Sequence, residues 1–108
     1  MSKKSKRLRD MRRNPHKVRY DDLIGVLQDY GFTIRDRTGS SHVFVSLNIG
    51  DHYWSSTVVK PHGDAQYVNE TGMRKLLKQF NEIDSVLAQI AVNEGDTEDT
   101  ETGDNEDD

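Results

Sequence analysis

Residues 42–49, HVFVSLNI, alternate without a break. Val43, Val45, Leu47 and Ile49 fall on one side of an extended chain, and His42, Phe44, Ser46 and Asn48 on the other. Successive strand side chains point to opposite sides, so this segment needs a sheet with one covered face and one open face. Its neighbours are close by. Phe32 and Ile34 alternate with Thr33 and Arg35 over 32–36, and RTGSS at 37–41 reads as the turn between the two strands. Gly50-Asp51 is a second turn signal, which predicts that STVVK, 56–60, returns as a third antiparallel strand. Pro61 stops that strand, and PHGDAQYVN, 61–69, reads as a loop.

The covered face requires apolar helices. In YDDLIGVLQDYGF, Tyr20, Leu23, Leu27 and Tyr30 recur at helical spacing, with Ile24 and Val26 widening the stripe. Asp21 and Asp22 favour a helix N-terminus, and Gly31 is placed to end the helix. From Glu70, the residues Met73, Leu76, Leu77, Phe80 and Ile83 mark one face of a second helix. Val86, Leu87 and Ile90 extend that helix or form a third, with Asn81 at the join. The expected fold is α+β in the order α-β-β-β-α, with two helices on one face of a three-stranded antiparallel sheet.

Charge is segregated along the 108 residues. Residues 1–19 hold nine Lys or Arg against Asp10, residues 94–108 hold nine acids and no base, and the whole chain carries a net charge of −4. Neither end has enough apolar residues to offset the entropy of ordering it. The expected organisation is therefore a flexible basic arm at 1–19, a folded domain at 20–92 and a disordered acidic tail at 93–108. The chain has no cysteine, which excludes a disulfide framework and a thiolate nucleophile and suits a reducing cytoplasm. No apolar run reaches membrane-spanning length, and the basic arm has no apolar segment behind it as a secretory signal would.

Four places carry chemistry. His42 opens the central strand directly after Gly39-Ser40-Ser41, whose backbone N–H groups and hydroxyls suit close approach of a phosphate. Phe44, two residues on and on the same face, is placed to stack on a base. Imidazole exchanges a proton near neutral pH, so His42 is the candidate general acid or base. A partly exposed strand histidine with no further role is the plain alternative. Lys60 and His62 bracket Pro61 at a strand end and are suited to a phosphate, although an ordinary surface loop also accounts for them. Arg74, Lys75 and Lys78 form a basic helix face, which is informative only if it points the same way as His42. The basic arm suits phosphates, anionic lipid or the chain's own acidic tail, with nucleic acid favoured over lipid because no amphipathic pattern is present. His42, His52 and His62 lie ten residues apart, but no cysteine or ordered carboxylate completes a metal ligand set.

Taken together, DDLIGVLQDYGFTIRDRTGSSHVFVS, VVKPHGD and ETGMRKLLKQF resemble the HicA toxin family of small bacterial mRNA interferases. The shared features are Gly31-Phe32 after the first helix, Gly39-Ser40-Ser41-His42 entering the second strand, Pro61-His62 after the third, and Gly72 through Gln79 in the closing helix. The resemblance spans about residues 20–83. It implies a double-stranded-RNA-binding-domain-like fold and cleavage of single-stranded mRNA without metal or other cofactor. It also implies His42 as the catalytic residue and a HicB-like antitoxin protein as partner. Gly39, Ser40, Ser41, Phe44, Lys60, His62, Arg74, Lys75 and Lys78 are the expected RNA contacts.

The chain departs from that pattern in its acidic central region, its basic arm and its tail. The tail reads as a solubilising segment, with charge mimicry of RNA as the alternative. Tyr53 and Trp54 either stack on bases or pack in the core. Two rival readings remain: a nucleic-acid-binding module that does not cleave, and a small regulatory interaction protein recruited through its charged ends.

Overall fold

Three helices and three strands make up the computed structural model, which describes residues 3–99, with side chains over 6–93. In chain order they are α1 (Lys3–Arg13), α2 (Tyr20–Tyr30), β1 (Thr33–Asp36), β2 (His42–Ile49), β3 (His52–Val59) and α3 (Glu70–Asp99). The strands form one antiparallel sheet in the order β1-β2-β3. The α+β class is as expected, with one helix more than the expected order. Two compact units are present, Met1–Leu77 and Lys78–Asp108, so the division falls inside α3. Among the described residues, no helix is long and apolar enough to cross a membrane.

The sheet and its two turns lie in the first unit. Val43, Val45 and Leu47 of β2 are buried, as are Trp54 and Val58 of β3. Pairing is Ile34↔Val45 from β1, with Val43↔Val58 and Leu47↔Trp54 from β3. Each fully buried aliphatic side chain of this kind contributes about 1.5–3 kcal/mol, which makes the covered face the main anchor of register. β3 begins at His52, earlier than the expected STVVK, so Gly50-Asp51 alone links the two long strands. The earlier start follows from Trp54, which needs an inward strand position to bury its ring.

α2 carries the expected apolar stripe, with Leu23, Val26, Leu27 and Tyr30 buried and Asp21 and Asp22 in its first turn. It ends at Gly31, whose φ of 100° lies in the left-handed region. There the Gly31 N–H donates to Gln28 O and the Phe32 N–H to Leu27 O, both at 3.0 Å. This pair of bonds satisfies two terminal carbonyls and needs a residue without a Cβ penalty at Gly31. Buried Phe32 then turns the chain toward β1. At the start of α3, Asn69 Oδ1 accepts from the Gly72 N–H at 3.2 Å, an N-cap that fixes the helix start at Glu70. Met73 and Leu76 of its first turns are buried. The helix then continues through Asn81 to Asp99 as one element, with no separate helix starting at Val86. In the second unit Phe80 and Ile83 are fully buried, whereas Leu87, Ile90 and Val92 are exposed.

The basic arm is the main correction. Residues 3–13 form a helix, with Leu8, Met11, Pro15 and Val18 of this region buried. Lys and Arg are good helix formers, and Arg12 and Arg13 sit in the last turn, where cations suit the helix dipole. Arg7 lies 4.0 Å from Asp22 of α2. It also crosses Gly25, where an added Cβ would come within 2.5 Å of the guanidinium. The segment after α1 is tied as well, because the Val68 N–H donates to Val18 O at 2.8 Å. Few apolar residues suffice here because each falls on the docking side. At the other end α3 reaches Asp99, and residues 100–108 of the expected acidic tail lie outside the described residues.

If α1 is docked by its apolar side, Leu8→Ala and Met11→Ala each destabilise the chain by about 2 kcal/mol or more. Urea unfolding then shows a lower midpoint with an unchanged slope. A mobile arm predicts no change in either variant.

Candidate functional site

The open face of the sheet is built row by row from the strand register. Arg35, Phe44 and Thr57 form one row across the three strands. His42 pairs with Val59 in the row toward the β1–β2 turn. In the other direction follow Thr33, Ser46 and Ser55, then Asn48 and Tyr53. No carboxylate stands in any of these rows. The central region is acidic overall, but its acids lie elsewhere.

Arg35, Arg37, His42, Phe44 and Thr57 line a shallow cavity of about 320 Å3 on this face. The structure therefore brings His42 and Phe44 together, as their parity predicts. It adds Arg35, Arg37 and Thr57, which sequence reasoning missed. Arg35 carried a usable signal, since it shares the exposed side of its strand with Thr33. Its meeting with Phe44 depends on cross-strand register, which the sequence does not display.

The Gly39-Ser40-Ser41 turn closes largely on itself. Gly39 has a φ of 83°, and the Ser40 N–H donates to Arg37 O at 3.1 Å. Ser40 Oγ accepts from the His42 N–H at 3.1 Å and approaches His42 O at 3.4 Å. These bonds fix where β2 begins, and they engage the Ser40 and His42 amides internally. Ser41 Oγ lies 3.4 Å from His42 Nδ1, a long contact that biases the ring's orientation. Across the strand pair, the Lys60 N–H donates to Ser41 O at 2.8 Å and extends the ladder past His42.

Lys60 itself goes elsewhere. Its Nζ donates to Asp36 Oδ1 at 2.8 Å. Asp36 pairs with Val43, on the covered side of the sheet. Lys60 and Pro61 line a separate cavity with Arg19, Tyr20, Asp21, Ala65 and Gln66. His62 is exposed in the following loop, where its carbonyl accepts from the Ala65 N–H at 3.0 Å. Arg74 is engaged within its own helix by Glu70 Oε2, at 2.9 Å from Nε and 2.6 Å from the terminal nitrogen. Pairs of this spacing contribute about 0.3–0.5 kcal/mol. Lys75 is exposed, and neither it nor Arg74 lines the His42 cavity. Lys78 is exposed and belongs to the second unit. Trp54 is buried and stacks on His52, with ring centroids 5.8 Å apart, whereas Tyr53 is 57% exposed on the open face. Among the described residues no group of three or more His, Cys, Asp or Glu is placed to hold a metal ion.

The chain matches no family model, no curated protein and no solved structure.

Two groups around Asp36 titrate away from their ordinary values. The hydrogen bond that Lys60 donates to Asp36 holds its amine above 10.5. Burial, reinforced by the Asp36 charge and opposed by Lys60, holds the Tyr20 phenol above 10.0. Both folded-state values are raised, so each group contributes stability that is complete below its unfolded value and lost as pH rises through the folded one. Urea unfolding should therefore show constant contributions from both at neutral pH and a decline above about pH 10. Asp36→Asn removes the main cause of the Lys60 shift, so its destabilisation at neutral pH shrinks at high pH. An Asp36→Asn effect independent of pH would reject the assignment.

Proposed function

We propose that the chain is a HicA-like mRNA interferase, a metal-independent endoribonuclease in which His42 is the general acid/base. The observation that carries this reading is the placement of an exposed imidazole in one cavity with two arginines and an aromatic ring, on a face free of carboxylates. His42 accepts the proton of a ribose 2′-hydroxyl as that oxygen attacks the adjacent phosphorus. The bond from phosphorus to the 5′-oxygen breaks, and the leaving oxygen takes a proton from the imidazolium or from water. The products are a 2′,3′-cyclic phosphate and a free 5′-hydroxyl. Arg35 and Arg37 supply positive charge to the phosphate, and Phe44 stacks on a flanking base. Acid/base help is worth roughly 10²–10⁴-fold, with positioning and charge supplying the rest. The working compartment on this reading is the cytoplasm, and the partner is a HicB-like antitoxin that covers the open face.

One observation favours a second reading. His42 is the single imidazole among the cavity's lining residues, and none of them is a carboxylate, so no second residue is at hand to complete an acid/base pair. A non-catalytic RNA-binding module of the same architecture uses Arg35, Arg37 and Phe44 without needing the imidazole.

The test compares the native chain with His42→Ala on long single-stranded RNA in EDTA, mapping the ends. The expected result is cyclic-phosphate ends from the native chain and a rate loss of roughly 10²-fold or more in the variant. Equal binding by both proteins without cleavage selects the second reading. Removing Arg35 or Arg37 should weaken binding and reduce the salt slope by about 0.7 for each phosphate that is no longer neutralised.

A further inference from the structure

Beyond the His42 cavity the open face continues for two more rows, and it ends on a second aromatic ring. Phe44 is 38% exposed and Tyr53 57% exposed. Tyr53 pairs with Asn48, four residues along β2 from Phe44. At roughly 3.3 Å per residue the two rows are about 13 Å apart along the strand. Between them lie the hydroxyls of Thr33, Ser46 and Ser55. Bases stacked in a helical strand rise only about 3.4 Å, so this spacing does not suit neighbouring stacked bases. It suits an unstacked strand whose bases are splayed onto separate platforms, with sugar and phosphate crossing the hydroxyls between them. A hydroxyl row can both donate to and accept from a ribose 2′-hydroxyl, the group that separates RNA from DNA. Charge agrees: the cations, Arg35 and Arg37, lie at the His42 end, and no carboxylate interrupts the rows.

We infer that the open sheet face is a track for unstacked single-stranded RNA, in which Phe44 holds a base beside His42 and Tyr53 holds a second base beyond the Thr33–Ser46–Ser55 row. This deepens the proposed function and rests on its assignment of RNA to this face. It does not depend on cleavage. The track makes Tyr53 a binding residue that acts only on a strand long enough to reach it.

The experiment measures fluorescence anisotropy of labelled uridine oligonucleotides with the full chain carrying His42→Ala, so that the probe survives. A dinucleotide and a hexanucleotide are compared, along with the DNA version of the hexanucleotide. Tyr53→Ala should weaken the RNA hexanucleotide roughly five- to a hundredfold and leave the dinucleotide unchanged, as expected for loss of one stacked base. Phe44→Ala should weaken both probes. Tyr53→Phe should retain tight binding, since the ring and not its hydroxyl is the platform. Thr33→Val together with Ser46→Ala should narrow the preference for RNA over DNA. The track is overturned if Tyr53→Ala leaves the hexanucleotide unchanged or weakens both lengths equally. It is also overturned if neither oligonucleotide binds, which would leave a protein as the occupant of this face. If the length-dependent Tyr53 effect is present while the native chain leaves RNA uncut, the track stands and the catalytic reading fails.

Discussion

The two-residue period of β2 couples the core to the site. Val43, Val45 and Leu47 are buried on one side, and His42 and Phe44 are exposed on the other. A one-residue slip would put the aliphatic residues in water and drive the imidazole and Phe44 into the covered side. Register is therefore held by burial, while the hydrogen-bonded Gly39-Ser40-Ser41 turn and the Ser41–Lys60 backbone bond fix where the strand begins. The His42 cavity needs no elaborate support of its own. Arg35, His42, Phe44 and Thr57 are the outward-facing half of strands whose inward-facing half is already fixed.

Much of this is legible in the sequence because it is local. Alternation locates β2, the Gly31-Phe32 pair marks the end of α2, and the α3 stripe begins where Asn69 caps it. Three features are not legible, for different reasons. In α1, cations outnumber apolar residues so heavily that composition points to disorder; the i, i+3 spacing of Leu8 and Met11 is the informative signal. Arg35 meets Phe44 only through pairing between strands, and Arg37, one residue past β1, lines the same cavity. Nearness to the end of β3 groups Lys60 with His42 in a reading of the sequence, yet strand parity opposes this. Val59 pairs with His42 on the open face, so the next residue points to the covered side and meets Asp36.

Net charge is also a poor guide to local field. The chain is acidic overall, and residues 20–93 hold more acids than bases. Several of those acids are engaged with cations: Asp36 with Lys60, Glu70 with Arg74 and Asp22 near Arg7. None is on the open rows of the sheet. A polyanion approaching that face meets arginines and hydroxyls first. Over more than about a Debye length, roughly 8–10 Å at ordinary ionic strength, the remaining acids are screened.

Exposure sets the terms on which such a face would perform the proposed chemistry. At about 4 Å in bulk water a pair of unit charges is worth only about 1 kcal/mol, and about 4 kcal/mol where the effective dielectric constant is near 20. On the proposed reading, Arg35 and Arg37 on a bare sheet would therefore stabilise developing phosphate charge only weakly. A strand lying across Phe44 and Tyr53 would itself exclude water from the His42 cavity, strengthening those charges at the moment they are needed. On this reading the second aromatic platform affects rate as well as affinity: a substrate too short to reach Tyr53 leaves the cavity wetter, and loses kcat as well as binding. On the proposed reading, one imidazole with two arginines is a sparse catalytic set, and a bound nucleic acid would supply the cover that the fold lacks.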